Sequence, residues 1–473
     1  MGDSQQDVTA VERSPAIDDA RLATLFAKEA ERFAAAHPRA AALAARARAS
    51  LVGGVPMSWM QRWASPVPPY AVSARGATIT DADGRDYLDL ALGDTAAMAG
   101  HAPAALTRAI AAQLELGATT MLPSEAAIEA AEELTRRFGL PLWQLCLTAT
   151  DANRFALRIA RAVTKRPKIL VHNWCYHGTV DETFAIARPG GAAGAAQARP
   201  GNTGPQVDPA STTRVVEIND LAATEAALAA GDVAAILIEP ALTNIGIVLP
   251  ETGYHAELRR LATEHGALLI ADETHTISVG PGGATGAWRL EPDLLVIGKA
   301  IAGGLPGAAY GMRHDLAERI GRELRRDEID TGGIGGTVSG SVLSAVAIRT
   351  TLREVLTDAA FPEMIAGAGR WADGAEAVFG RHGVGWSVTR LGARAEYHFT
   401  PRAPRNGAEA AAAVHHEMER FLHLHALNRG IIMTPFHNMA LFSPATPRDA
   451  ADRHSEALDA AIATLIEGRA LVV

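Results

Sequence analysis

Between residues 168 and 297 the chain repeats one rhythm, a short continuously apolar or β-branched run followed by an amphipathic helical stretch. The runs are Lys168-Ile169-Leu170-Val171, Arg214-Val215-Val216-Glu217-Ile218, Ala234-Ala235-Ile236-Leu237-Ile238, Ala267-Leu268-Leu269-Ile270-Ala271 and Leu294-Leu295-Val296-Ile297. Runs without polar alternation read as strands buried on both faces, and their alternation with helices predicts an α/β fold with a mostly parallel sheet covered on each side. Ligands on such sheets bind beyond the carboxyl ends of the strands, so the polar residues just after each run are the ones to inspect.

Outside this stretch the pattern changes. Residues 18–50 are rich in Ala, Arg, Glu and Leu and broken at Pro38, which predicts two helices in an N-terminal arm. Residues 78–89 alternate about an Asp83-Gly84 turn and predict a hairpin. Gly, Ala and Pro dominate 188–211, a loop read equally as a mobile lid or as disorder. Helices are predicted over 341–358 and from Pro362 to residue 379, then strands at 386–389 and 395–399 and a helix through 427, a second α/β module.

With 473 residues the chain exceeds what one hydrophobic core supports, so a large domain and a smaller one are expected. A content of 48% hydrophobic and 21% charged residues fits a folded globular protein. The net charge of -9 offers no basic face, which argues against nucleic acid or a membrane surface as partner. No apolar run approaches the roughly 18 residues of a membrane span, and Met1-Gly2-Asp3-Ser4-Gln5-Gln6-Asp7 resembles neither a secretory leader nor a myristoylation signal. Cys146 and Cys175 lie in apolar stretches and read as buried reduced thiols rather than a disulfide or metal site. A cytoplasmic location is the expectation.

Two strand ends stand out. One delivers Asp272-Glu273, the other Gly298-Lys299 followed by Ala300-Ile301-Ala302-Gly303-Gly304. A lysine at the buried end of an apolar strand is costly to desolvate unless its charge is removed, and a Schiff base to a carbonyl cofactor removes it. The alternative is a surface lysine at a strand end. Pyridoxal 5′-phosphate (PLP) needs a carboxylate at its ring nitrogen, an anion site for its phosphate and an aromatic ring over its face. Asp272 is placed for the first, unless it merely caps the next helix. Thr148-Ala149-Thr150-Asp151-Ala152-Asn153 opens a predicted helix and provides the second, with Thr150 as an ordinary N-cap the rival reading. Tyr176, in Cys175-Tyr176-His177-Gly178, provides the third, unless it is a core or loop tyrosine.

Together these residues resemble the class III aminotransferase family from about residue 53 to residue 446. Glu239-Pro240, the helix leading into Asp272-Glu273, and Pro292-Asp293 leading to Lys299 stand in the family's order and spacing, and Gly335-Gly336-Thr337-Val338-Ser339-Gly340 is similar to the segment that reaches a neighbouring subunit's phosphate site. The resemblance implies the PLP fold type I, with an N-terminal arm at 1–50, a large PLP-binding domain at 106–350 and a small domain built from both chain ends, 51–105 and 351–473. It implies a homodimer with shared active sites. By it Lys299 is the Schiff-base lysine and proton carrier, Asp272 pairs with the ring nitrogen, Tyr176 stacks on the ring, and Ala149, Thr150 and the neighbour's Thr337 bind phosphate. Asn153, Glu239 and Thr274 shape the site around the ring.

Several positions depart from the family pattern. The phosphate turn lacks its usual glycine; Thr274 replaces a ring-packing valine and His275 follows it, read as stabilising the local turn with contact to the substrate the alternative. Gly93-Asp94-Thr95 places an acid where an aromatic is common, disfavouring some anionic substrates. Gly53-Gly54-Val55 and Thr389-Arg390-Leu391-Gly392 resemble the glutamate-1-semialdehyde aminomutase branch, but the stretch after the first motif has Trp59, Arg62 and Trp63 where that branch has its carboxylate-binding arginine. An aromatic entrance suits a larger amine or β-amino acid. The segment around His437 lacks the arginine with which many relatives hold an α-carboxylate, leaving Arg62 and Arg394 as carboxylate-binding candidates, the latter alternatively a solvated strand-end residue. The sequence therefore predicts an ω-transaminase passing an amino group from an amine or β-amino acid to a small keto acid. An aminomutase-like isomerase is the alternative, and a catalytically silent binding homologue is disfavoured by the joint presence of Lys299, Asp272 and Tyr176. A nicotinamide dehydrogenase is excluded by the lack of Gly-x-Gly-x-x-Gly after an early strand.

Overall fold

The computed structural model describes residues 16–204, 207–324 and 332–472. Met1–Asp7, read for targeting signals, and part of the 188–211 loop lie outside these residues.

The five apolar runs form strands of one seven-stranded sheet. Its spatial order is Leu142–Cys146, Ala308–Met312, Leu294–Ile297, Leu268–Asp272, Val233–Ile238, Lys168–His172 and Thr213–Val216. Val233–Ile238 is buried throughout and pairs in parallel on both sides, as its unbroken apolar sequence requires. Ala308–Met312 pairs antiparallel with both neighbours and makes the sheet mixed. It and Leu142–Cys146 escaped the sequence reading because Ala308-Ala309-Tyr310-Gly311-Met312 has little β-branched content to mark a strand. Gly311 faces the Trp143 ring so closely that a Cβ would lie 2.8 Å from it, so the weak strand residue is what lets the two strands pack.

The predicted hairpin forms from Thr78–Asp81 and Asp86–Asp89, with Gly84 at φ +78° in the turn and Asp81 Oδ1 accepting from the amides of Asp83 and Arg85, each at 2.9 Å. Ile431–Ile432 joins this sheet in parallel with Asp86–Asp89. Ser387–Leu391, Arg394–His398 and Met439–Leu441 form a separate three-stranded antiparallel sheet beside helices Phe361–His382 and Ala450–Glu467. One hydrophobic cluster joins Leu88, Ile297, Trp371 and Tyr397, so residues from both chain ends pack on the central sheet as a single core. The arm is two helices, Asp19–Ala36, capped by Asp18, and Pro38–Ala47, with proline in its first turn.

Three local expectations are corrected. The helix predicted over 341–358 is α-helical only over Val342–Thr350 and then widens into a π turn, Thr351–Val355, where buried Arg137 donates to the Leu356 carbonyl at 2.8 Å. The loop opening at residue 188 includes a short strand, Ala196–Ala198, that returns antiparallel to Ala185–Ala187 just before it. Arg394 does not flank its strand but begins it, opposite Leu391 and Leu441, and is only 1% exposed.

Candidate active site

The carboxyl ends of the central strands converge on a cavity of about 240 Å³ whose walls include Thr148, Ala149, Thr150, Tyr176, Asp272, Thr274, His275 and Lys299. Asp272 closes its strand and is buried. Its Oδ2 accepts from Asn153 Nδ2 at 2.8 Å and His177 Nδ1 at 2.9 Å, and Oδ1 accepts from the Thr274 amide at 3.1 Å. Burial alone favours the neutral acid, but the hydrogen bond and charge of His177 prevail and hold Asp272 below the usual carboxylate range. For His177, burial favours the neutral ring, and Cys175 with the Asp272 carboxylate outweigh it, leaving the imidazole well above its ordinary pKa. The pair is ionic.

Glu239 follows Val233–Ile238 and accepts from the backbone amides of Tyr176 at 3.0 Å and Thr243 at 3.1 Å. Burial raises its pKa despite those bonds. It thus anchors the backbone that puts the Tyr176 ring in the cavity wall. The helix Ala149–Thr164 starts beside this ring, but its N-cap is Thr148, which accepts from the Asp151 amide at 3.1 Å. Thr150 is therefore not the cap, and its Oγ1 accepts from the Thr179 amide at 3.0 Å. Gly178 crosses Thr150 at φ +75°, where a Cβ would sit 2.2 Å from Oγ1.

Lys299 lies across the cavity in the left-handed region, φ +51°. Its Nζ donates to Asp94 Oδ2 at 2.7 Å and lies 2.9 Å from His275 Nε2. Asp94 comes from a turn in which Leu92, Gly93, Asp94 and Thr95 all have positive φ, +43°, +57°, +50° and +81°. Left-handed backbone costs a non-glycine residue about 1–2 kcal/mol, so this turn persists only because surrounding contacts hold it. Two of them meet at Thr95, whose Oγ1 is 3.1 Å from His275 Nδ1 and accepts from Arg394 Nη2. Burial works against ionisation of Asp94, and Lys299, His275 and Arg394 overcome it, so its pKa is strongly lowered. His275 is pushed well below its ordinary value by burial and by Lys299. Its reading as a local turn residue is corrected: it bridges Lys299 and Arg394.

Arg394 is buried, its pKa lowered by that burial, and it forms no ion pair among the described residues. Its Nε has no hydrogen-bond partner. His437, also buried, pairs with Glu396 at 3.2 Å and is raised by that carboxylate against burial. Trp59 meets Phe436 edge-on at 5.8 Å, which brings the N-terminal segment to the His437 turn. Arg62 is exposed and makes no ion pair among the described residues. Thr337 is exposed and lines no wall of this cavity in its own chain. The sequence reading missed His177, Thr95 and Glu396. His177 had a signal in its place beside Tyr176; the other two come from distant loops and strands and had none.

A lysine beyond one central strand, a hydrogen-bonded carboxylate ending the next and an anion-binding helix start opposite them define a PLP-dependent enzyme of fold type I. The chain belongs to the class III aminotransferase family, whose description, Aminotransferase class-III, matches residues 59–454. Over 420 residues, 87% of this chain and 94% of the relative, it is 34% identical to a glutamate-1-semialdehyde 2,1-aminomutase of Roseiflexus castenholzii. The crystal structure of a glutamate-1-semialdehyde-aminomutase from Pseudomonas aeruginosa PAO1 superposes with a TM-score of 0.92 at 47% identity, covering 95% of this chain and 99% of that one. An omega-transaminase from Sphaerobacter thermophilus follows with a TM-score of 0.80 at 30% identity, over 90% and 97%.

These relations overturn the expectation of a transaminase for amines or β-amino acids, since the aminomutases are the more similar. The tryptophans that prompted it lie at a partly exposed segment, where aromatic character says little about the reaction. The cavity itself fits PLP. Asp272 offers a charged oxygen, Thr274 Oγ1 is buried without a partner, and Gly298 lets the Lys299 turn approach the helix start so closely that a Cβ would lie 3.1 Å from the Ala149 amide nitrogen.

Proposed function

We propose that this chain is an aminomutase of the glutamate-1-semialdehyde 2,1 type, moving an amino group between adjacent carbons of one substrate. The observation that carries this reading is the breadth of the relation to aminomutases, 34% identity over 87% of the chain and a TM-score of 0.92 to a solved one. When bound, PLP supplies a carbonyl that takes up amino groups and a ring that withdraws electrons from the neighbouring carbon.

This chain's residues do the rest. Asp272, kept anionic by His177 and oriented by Asn153, holds the proton on the ring nitrogen. The first-turn amides at Ala149 and Thr150 bind the phosphate, joined by Thr337 of the second subunit in a homodimer. Tyr176, its backbone fixed by Glu239, and Thr274, both lining the cavity, would hold the ring. Lys299 accepts the proton from one substrate carbon and returns it to another, which an isomerisation requires twice. Arg394, a buried cation without an anionic partner, binds the substrate carboxylate across His275 from Lys299. Trp59, Arg62 and His437 contribute to substrate selection.

The test is direct. Purified protein loaded with PLP is given glutamate-1-semialdehyde and no keto acid. The expected result is conversion to the isomeric amino ketone, with no keto acid consumed. A strict requirement for an added keto acid acceptor sinks the reading.

A further inference from the structure

We infer that Asp94 and His275 form a proton-holding pair for Lys299, with His275 exchanging tautomers as the amine gains or loses its proton. The pair rests on geometry specific to this chain. Two different acceptors approach Lys299 Nζ, Asp94 Oδ2 at 2.7 Å and His275 Nε2 at 2.9 Å. The imidazole also has two neighbours at its far nitrogen, Thr95 Oγ1 at 3.1 Å and Arg394 Nη2 at 3.2 Å from Nδ1. A hydroxyl donates or accepts, whereas a guanidinium only donates.

Those rules allow two complete arrangements of a neutral ring. With Lys299 an ammonium, Nε2 accepts one of its protons, Nδ1–H donates to the Thr95 hydroxyl oxygen, and Asp94 accepts a second ammonium proton. With Lys299 an amine, Nε2–H donates to the nitrogen lone pair and Nδ1 accepts from Arg394. Each arrangement satisfies both ring nitrogens, so neither protonation state of Lys299 leaves one of them unpaired. The ring must stay neutral for the exchange to work, and it does: His275 faces Lys299, Asp94, Arg394 and Asp272, and burial with the two cations disfavours imidazolium. Asp94 in turn faces Lys299, His275, Arg394 and His437 and stays anionic. The left-handed run Leu92–Thr95 is the backbone's contribution, since it delivers Asp94 to Lys299 and Thr95 to His275 from one turn.

The step itself is a proton transfer and balances without any redox partner. A substrate C–H bond breaks, its proton joins Lys299 Nζ, and its electron pair stays on the substrate. The same proton later leaves Nζ to form a C–H bond on a second atom. Asp94 and His275 hold Nζ in place through both states.

Two variants and two measurements test this, and only the turnover arm rests on the isomerase reading. Asp94→Asn keeps the shape and removes the charge; His275→Gln keeps a hydrogen-bonding group and removes the tautomer exchange. In each, kcat for glutamate-1-semialdehyde isomerisation is expected to fall roughly tenfold or more with KM within about twofold, as expected for groups that act on proton transfer rather than binding. Independently of substrate, the full chain stripped of cofactor is treated with formaldehyde and cyanoborohydride at fixed pH, and methylation of Lys299 is followed by peptide mass spectrometry. Removing the Asp94 charge is expected to speed this labelling roughly threefold or more, because Nζ loses the charged acceptor that holds it at 2.7 Å. Unchanged labelling in Asp94→Asn overturns the inference whatever the substrate is. Unchanged kcat in both variants also overturns it, and a change confined to KM makes Asp94 a substrate-binding residue instead.

Discussion

The two walls of the cavity solve the problem of buried charge in opposite ways. On the side formed by Asp272, His177 and Asn153 the carboxylate that ends its strand is paired with the His177 imidazole and bonded by Asn153 from the first turns of a helix, so its charge has its counter-charge within the chain. On the wall formed by Asp94, His275, Thr95 and Arg394 the backbone is left-handed for four residues and a buried guanidinium has no carboxylate bonded to it. A compensated wall is rigid before anything binds, which suits a resident cofactor. A buried guanidinium in no ion pair among the described residues, with an unpartnered Nε, has room for an anion from outside, which suits a substrate that comes and goes.

The largest effect expected follows from the residue shared by both walls. Lys299→Ala removes nucleophile and proton carrier together, so turnover should fall by about three orders of magnitude or more, as for other residues that act as a unit. The visible absorbance that borohydride bleaches in the parent should be absent from the variant. Retained turnover would detach Lys299 from the chemistry altogether.

Next in size is Asp272→Ala, which strands the His177 imidazolium in the core. Breaking one partner of a buried pair costs about 3–5 kcal/mol. A drop of that size in chemical denaturation, together with loss of PLP on dialysis, is the expected result; a stable variant that keeps its cofactor would show that the wall is not charge-compensated by this pair.

Arg394→Ala is the counterpart on the other wall and should behave differently. It removes a fully buried side chain that also donates to Thr95, so some stability is lost, but a charge-assisted bond to a substrate carboxylate is worth about 1.5–3 kcal/mol and its loss should in addition raise KM roughly tenfold or more. Steady-state kinetics and a thermal melt of the same preparation separate the two. A variant that melts much earlier with KM unchanged would make Arg394 a structural residue.

The same contrast explains what the sequence could reveal. Asp272 and Lys299 directly follow short apolar runs, Tyr176 comes shortly after one and Thr150 stands at a helix start, so local patterns point to each of them. Asp94, His275, Arg394 and Glu396 meet through a strained turn, a post-strand bend and a strand of another sheet, and no local pattern connects positions so far apart. The backbone at Leu92–Thr95 is a further reason: nothing in Leu-Gly-Asp-Thr other than its glycine announces a left-handed run. Arg394 looked like a strand-end residue because the alternation at 395–399 does not distinguish the first strand position from the one before it. The substrate followed the same divide, since Trp59 and Trp63, which supplied the aromatic cue, are not among the residues that line the cavity.

The smallest expected effect concerns the histidine–carboxylate pair behind the substrate wall. His437 is raised above its ordinary 6.5 because Glu396 outweighs the opposing effect of burial, and Glu396 is lowered below its ordinary 4.5 because His437 and His398 outweigh burial. A group with a raised folded pKa stabilises fully below its unfolded value and loses that contribution as pH rises through the folded one. A group with a lowered folded pKa stabilises fully above its unfolded value and loses the contribution as pH falls through the folded one. Both contributions are therefore complete between 4.5 and 6.5 and shrink on either side. A tenfold difference in proton affinity between the folded and unfolded chain is worth about 1.4 kcal/mol. The melting temperature of the parent minus that of His437→Gln should accordingly be greatest in that window and narrow toward alkaline pH as the imidazole loses its proton. A difference that is flat from pH 5 to pH 9 would mean that folding leaves the proton affinity of His437 unchanged and that Glu396 does not hold its proton.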